Sequence, residues 1–455
     1  MKPHKRRAID AYKTSLNSKS GRASNSPKKA ILIGVQPSNI NDEEMTRSIS
    51  ELKMLVSDLG HFVEAVFIQK QNQRIVANYL GTGKINEIAL LTGGPGCIAK
   101  EANKPISRQT EIYKNDEYIV IANDELTSGQ LRNLELMLAV DVIDRTGVIL
   151  KIFEHRAHTR ESKLEVEAAR LEYEIARFRD NHSLGDKEGG GGRASRGDSN
   201  VELAKQRARE RISVIRKKLL EINSEAEQIR QSDEIFRVAL IGYTNVGKST
   251  LMQLLTGSDV FIKDKLFATL ETKIRRLSPP VNPPILVIDT VGFIDRLPHT
   301  LISSFKSTLA EARHSNLVLH VVDTADSLWH KQFELTENIL CELGFKGAPK
   351  LLVFNKIDKV DELTRQNLAQ QFPEAVQMNA TDPSYGKLLR DKIIKFRETD
   401  LIEEELTIPY HKQHVISYFK DRIQIMDKRY GKYLVLVVRG SDIVLAQLKS
   451  RLLGK

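Results

Sequence analysis

The stretch Val238-Ala239-Leu240-Ile241-Gly242-Tyr243-Thr244-Asn245-Val246-Gly247-Lys248-Ser249-Thr250 decides the fold. An apolar run, a glycine-bounded loop ending in Lys-Ser and a helical continuation through Leu251 and Met252 are the strand, loop and helix of a phosphate-binding loop. Gly242 and Gly247 let the backbone curl around a β-phosphate, Lys248 reaches the β- and γ-phosphates as a point charge, and Ser249 offers its hydroxyl to magnesium. The loop N–H groups from Tyr243 to Val246 and the helix N-terminus at Ser249 and Thr250 converge on the same phosphates.

Three further elements follow in order: Thr269, Asp289-Thr290-Val291-Gly292 and Asn355-Lys356-Ile357-Asp358. Asp289 ends the apolar run Ile285 to Ile288, so it lies at the carboxyl end of a predicted central strand, within reach of magnesium through water. Gly292 supplies an amide that senses the γ-phosphate. Asp358 names the base, because a carboxylate accepts hydrogen bonds from the N1–H and exocyclic amine of guanine, and adenine lacks that pattern. Singly these motifs are weak. Jointly they predict a GTP-dependent switch, with Lys248, Asn245, Thr269 and Gly292 as candidate catalytic residues.

The chain has 455 residues, which suggests about three domains. Its 69 Lys and Arg against 59 Asp and Glu give a formal net charge of +10, which favours an acidic partner such as nucleic acid, with plain solubility as the alternative. Cys97 and Cys341 lack the spacing of a metal or redox motif and fit a reducing compartment. With no apolar run of membrane-spanning length and no secretory signal, a cytoplasmic, monomeric protein is expected; peripheral membrane association stays open.

Residues 1–29 read as a disordered basic arm that lies on RNA, directs the chain to an organelle or has no role. Residues 30–156 read as an N-terminal α/β domain with strands at 30–35, 62–68, 118–122 and 148–153 and helices at 43–59 and 128–138. Within residues 157–232, Leu164, Ala168, Leu171, Ile175 and Phe178, then Ile212, Ile215, Leu219, Ile222, Ala226 and Ile229, make two heptad-like stripes that predict a long antiparallel helical hairpin. Its second helix, at 201–231, would be roughly 45 Å long. The glycine-rich tip with Arg193 and Arg196 is a plain linker or a flexible probe for a crevice in RNA. A P-loop GTPase domain at 233–398 and a small C-terminal α/β domain at 399–455, with strands at 407–409 and 433–438 and a helix at 443–453, complete an α/β chain.

This pattern resembles the HflX family of ribosome-associated GTPases. The resemblance rests on Asp124-Glu125-Leu126-Thr127-Ser128-Gly129-Gln130-Leu131-Arg132-Asn133-Leu134-Glu135, on Asp144-Arg145-Thr146-Gly147-Val148-Ile149-Leu150-Lys151-Ile152-Phe153, on Gly81-Thr82-Gly83-Lys84, on Arg156-Ala157, on Lys163-Leu164-Glu165-Val166-Glu167 and on the nucleotide motifs. It implies that Phe267-Ala268-Thr269-Leu270 is the first switch, with Thr269 on magnesium, and that Asp289 to Phe293 is the second. It also implies binding of GTP and GDP, association with the large ribosomal subunit and its RNA, a hairpin directed to the peptidyl transferase region, and splitting or rescue of stalled ribosomes under stress. Two departures stand out. The tip continues Gly197-Asp198-Ser199-Asn200-Val201-Glu202-Leu203-Ala204 where the family has Gly-Pro-Gly-Glu and then Thr-Gln-Leu-Glu, and Asn379-Ala380 replaces Ser-Ala in the last guanine loop, where the Ala380 amide can still meet the guanine oxygen. A GTP-gated RNA-binding regulator, or a paralogue acting on another RNA assembly, is the competing reading.

Phe293 stands where many signalling GTPases place a water-orienting glutamine, so either the isolated enzyme is slow or the ring is core. Asn245 either holds potassium beside the phosphates or caps a turn. The pairs His155 with His158 and His411 with His414 lack a third metal ligand, and Trp329 reads as packing.

Overall fold

The computed structural model describes residues 27–71, 77–97, 114–179, 195–231, 235–257, 266–267, 272–295, 310–345, 349–399 and 401–453. The basic arm up to residue 26, the tip residues up to 194 and the expected first-switch residues Ala268, Thr269 and Leu270 lie outside them, whereas Ser195, Arg196 and Gly197, expected in the tip, are helical, so the second hairpin helix starts six residues before the expected position 201. The chain divides into two compact units, Met1–Val148 and Ile149–Lys455.

In the first unit, strands β1 (Lys29–Gln36), β2 (Phe62–Lys70), β3 (Tyr118–Ala122) and β4 (Asp141–Asp144) form a parallel sheet in the order β2-β1-β3-β4. Helices α1 (Asp42–Asp58), α2 (Thr82–Thr92) and α3 (Ser128–Leu138) make the crossovers. Local chemistry sets their starts: Asn41 caps α1 through the Glu44 N–H, and Thr127 with Gln130 forms a capping box on α3. Ile31, Ile33, Val120, Ile85, Leu134 and Leu138 fill the core.

The acidic and basic residues of the N-terminal signature act structurally here. The buried Arg145 guanidinium pairs with Glu51 at 2.7 Å and donates to Asn123 Oδ1 at 3.1 Å. Asp144 accepts from the Leu126 and Gly147 amides, and Asp124 accepts from the fully buried Tyr79 hydroxyl at 2.6 Å.

Residues 148–153, read above as a strand, are helical. Helix α4 runs Arg145–Arg156, with the Gly147 N–H held by Asp144 Oδ1 at 2.9 Å as a helix-start cap. Val148, Ile149, Leu150, Ile152 and Phe153 are all buried, and a helix buried on most sides has the same unbroken apolar run as a buried strand.

The second unit begins within α4 at Ile149 and continues into the hairpin, α5 (Arg160–Arg179) and α6 (Ser195–Gln231). Ala168, Ile212 and Ile215 of the forecast stripes are buried between them, and bidentate Arg211–Glu167 and single Arg216–Glu172 ion pairs fix the register. The side chains of Phe178, Ala226 and Ile229 are outside the described residues.

The nucleotide domain contains β5 (Phe236–Gly242), β6 (Lys273–Arg276), β7 (Ile285–Asp289), β8 (Leu317–Asp323), β9 (Lys350–Asn355) and β10 (Val376–Gln377). They form one sheet in the order β10-β9-β8-β5-β7-β6, parallel except for β6 against β7. Helices α7 (Lys248–Thr256), α8 (Ala310–Arg313), α9 (Trp329–Glu342), α10 (Glu362–Gln371) and α11 (Ser384–Glu398) belong to it. Trp329 is core as expected, edge-on to Phe354 and Phe372. A final antiparallel sheet, β11 (Ile402–Ile408), β13 (Leu434–Gly440) and β12 (Gln424–Tyr430), carries α12 (His414–Phe419) and α13 (Asp442–Leu453) on a core of Ile408, Phe419, Leu436 and Leu448.

One ionic cluster ties α9 to the nucleotide sheet. The buried His320 ring on β8 meets Glu337 of α9 at 2.9 Å, and Lys350 of β9 also pairs with Glu337. Burial pushes the His320 ring toward its neutral form, and the His320 hydrogen bond, with Lys350, holds the Glu337 carboxyl down at about 2. A depressed carboxylate stabilises the fold above its unfolded pKa near 4.5 and loses that contribution as pH falls toward 2. Glu337→Gln is therefore expected to lower stability at pH 7 by about 1–3 kcal/mol, with the difference from the parent shrinking between pH 4.5 and 2 in parallel denaturant titrations.

Candidate nucleotide-binding site

The site lies at the carboxyl ends of β5, β7, β8 and β9, the open edge where a parallel sheet binds ligands. Gly242 ends β5, and a side chain there would put its Cβ 2.2 Å from the Val321 carbonyl oxygen. Gly247 stands at the N-cap of α7 with φ +97°, and a Cβ there would lie 2.3 Å from Asn355 Nδ2. Gly247 gives α7 no side-chain cap, which leaves the first helical turn suited to an anion.

Lys248 folds back into this loop. Its ammonium donates to the carbonyls of Gly242 at 3.1 Å and Tyr243 at 2.7 Å, and burial lowers its pKa to about 8 against the opposing pull of Asp289. Ser249 Oγ donates to Asp289 Oδ2 at 2.9 Å, with Asp289 fully buried at the end of β7. A hydroxyl beside a buried carboxylate is the hard-oxygen pair that a magnesium ion accompanied by phosphates and water needs.

Residues 289–293, expected as the second switch, are laced to the loop by main-chain and side-chain bonds. Thr244 N–H donates to Phe293 O at 2.6 Å and Phe293 N–H to Gly242 O at 3.2 Å, while Thr290 Oγ1 donates to Leu240 O at 2.7 Å. Gly292 lies against Lys248 and Thr244. Val291 and Phe293 are buried, so the Phe293 ring belongs to the core.

The base side is built by Asn355. Its Nδ2 donates to Val246 O at 2.7 Å and its Oδ1 accepts from the Ala380 N–H at 2.9 Å, so that amide, expected at the guanine oxygen, ties two loops here. Lys356, at φ +58°, donates to Asn245 O at 2.9 Å and pairs with Asp323 at 2.7 Å. Asp358 is exposed in the short 3-10 turn Ile357–Lys359, and Asn379 Oδ1 accepts from the Thr381 amide and hydroxyl. Asn245, at φ +60°, is exposed in the loop, and Ser249 and Thr250 stand half-buried in the first turn of α7.

Two residues at this edge escaped the motif reading. Asp323 ends β8, and Thr324, just after it, donates through N–H and Oγ1 to Asn355 O. Their signal was the apolar run Leu317 to Val322 closing on an acidic residue, the same signal that marked Asp289. Among the described residues no group of three or more His, Cys, Asp or Glu is placed to hold a metal ion, and no helix is long and apolar enough to cross a membrane.

Comparison with known proteins agrees with this geometry. Residues 46–154 match a family described as GTP-binding GTPase N-terminal, residues 156–232 one described as GTP-binding GTPase Middle Region, and residues 237–356 one described as 50S ribosome-binding GTPase. A GTPase HflX of Gluconacetobacter diazotrophicus is 38% identical over 446 residues, covering 94% of this chain and 98% of that protein. The chain belongs to the HflX family of GTPases. A GTPase HflX of Caldanaerobacter subterraneus subsp. tengcongensis is 33% identical over 89% of both chains. Among solved structures, a GTP-binding protein from Sulfolobus solfataricus in complex with GDP is 24% identical, covers 81% of this chain and 98% of its own, and superposes with a TM-score of 0.43.

As an HflX GTPase the protein hydrolyses GTP, and base choice tests the site at one atom. In Asp358→Asn the amide offers a donor where guanine presents its amine, and xanthine presents an acceptor there. The substitution is expected to weaken GTP by about 100-fold or more and to favour xanthosine triphosphate. Fluorescence titration that found unchanged GTP affinity would remove Asp358 from base recognition.

Proposed function

We propose that this HflX protein is a magnesium-dependent GTPase that engages the large ribosomal subunit and separates or rescues stalled ribosomes. The observation that carries the reading is the order of matched regions: a GTP-binding GTPase N-terminal region and middle region joined to a nucleotide domain of the kind described as 50S ribosome-binding. The net charge of +10 and the exposed Arg209, Arg216 and Lys217 on the hairpin support an RNA-rich partner.

Magnesium fits beside Ser249 and Asp289, where it would neutralise charge on the β- and γ-phosphates. The remaining work belongs to the chain. Lys248 exchanges loop carbonyls for phosphate oxygens, which favour the charged form that burial disfavours, and the Gly292 amide reads the γ-phosphate. Thr269 is assigned to the magnesium of the GTP-bound state. No side chain at position 293 can orient water, because the buried phenyl has neither donor nor acceptor. Turnover is therefore slow alone and rises when the ribosome completes the site. Asn245, exposed at the top of the loop, offers a carboxamide oxygen to potassium.

Sedimentation with purified large subunits and a non-hydrolysable GTP analogue is expected to retain the full chain, and deletion of residues 185–197 to abolish subunit separation while GTP affinity holds. Retention by bare RNA with no stimulation by subunits would favour a GTP-gated RNA-binding regulator. Steady-state turnover in potassium is expected to exceed that in sodium several-fold, a contrast that Asn245→Ala removes; equal rates in both salts would exclude the cation.

A further inference from the structure

Two residues outside the nucleotide domain grip the entry to the first switch. Phe153 on α4 is fully buried and meets Phe267 edge-on, with ring centroids 4.7 Å apart. Arg156, the last residue of the same helix, donates Nη1 to the Leu266 carbonyl at 2.8 Å and also to the Phe267 carbonyl. Leu266 and Phe267 are each 2% exposed, and Phe267 holds φ at +54°, a region that a bulky residue occupies only where its surroundings impose it.

We infer that Arg156 and Phe153 are positioning residues for GTP hydrolysis, latching the backbone at Leu266 and Phe267, the residues that lead into the first switch. The inference rests on the reading above that Thr269 serves the GTP-bound state. The grip on Leu266 and Phe267 fixes the point and direction at which the chain enters the first switch. The guanidinium suits the task, since its fork addresses two adjacent carbonyls while its charge faces the C-terminal end of α4.

The latch also connects to the arm. Ala157, buried, and Thr159, whose Oγ1 accepts from the Ser162 N–H, separate Arg156 from the start of α5 at Arg160. A connector this short passes movement of the hairpin base to the switch. The positioning group therefore comes from the region that carries the arm, and hairpin docking and switch order share one joint.

The test compares Arg156→Ala, Arg156→Lys and Phe153→Leu in the full chain, each checked for folding by thermal melt. GDP binding, which does not require the first switch, is expected to stay within about twofold, while single-turnover GTP hydrolysis falls about tenfold in Arg156→Ala. Arg156→Lys, able to hold one carbonyl, is expected to fall between. Hydrolysis by Arg156→Ala at or above the parent rate, or an equal loss of GDP and GTP-analogue affinity in all three, would overturn the latch. These rates are measured without ribosomes; absence of stimulation by large subunits in the parent protein would instead count against the proposed function and leave the comparison standing.

Discussion

The side chain of Asn355 is the constraint on which the nucleotide site depends. One carboxamide at the end of β9 holds the phosphate loop through Val246 and the last base loop through Ala380, and the Asn355 main-chain carbonyl accepts from Thr324, just after β8. Three loops from three strands are thereby set at fixed separations. An aspartate of the same shape would lose the donor to Val246 and leave a buried carbonyl unsatisfied, and a leucine would lose both bonds. The asparagine of the Asn-Lys-x-Asp motif thus acts as a strut, which leaves the exposed Asp358 beside it as the proposed reader of the base.

Residues with chemical duties and local patterns were legible in the sequence to different degrees. The phosphate loop, Asp289 at a strand end, the capped helix Ser128–Leu138 and the strand Tyr118–Ala122 all carry short-range signals that the fold keeps. The hairpin was legible because its apolar spacing has one face, and the partners Arg211 and Glu167 then settle its register. Helix α4 was misread because residues 148–153 are buried on most sides, which erases periodicity, and only the Asp144 cap upstream distinguishes it from a strand. Strand β12, rich in exposed Lys428, Arg429 and Tyr430, was missed because its stability comes from pairing with β13.

The candidate site shows the same division. Gly247, Lys248, Ser249 and Asp358 are named by spacing because their function is local to one loop. Asp323, Thr324 and the grip of Phe153 and Arg156 on the first switch are long-range contacts with no spacing rule. Arg156-Ala157 carries no chemical signal of its own in the sequence, and the contact of Arg156 with the Leu266 carbonyl shows what the arginine does in the fold.

The two halves of the site are restrained by different kinds of bond, and this has a consequence for how a switch can work. On the base side, side chains of Asn355, Lys356 and Thr324 hold backbone atoms, so residue identity fixes the geometry. On the γ-phosphate side, Gly292 and Phe293 are held by main-chain pairs to Gly242 and Thr244, and Phe267 by groups that arrive from α4. Main-chain pairs can break and re-form in a new register without regard to side chains. GTP and GDP differ only on that side, so their difference in binding energy falls on the restraints able to rearrange.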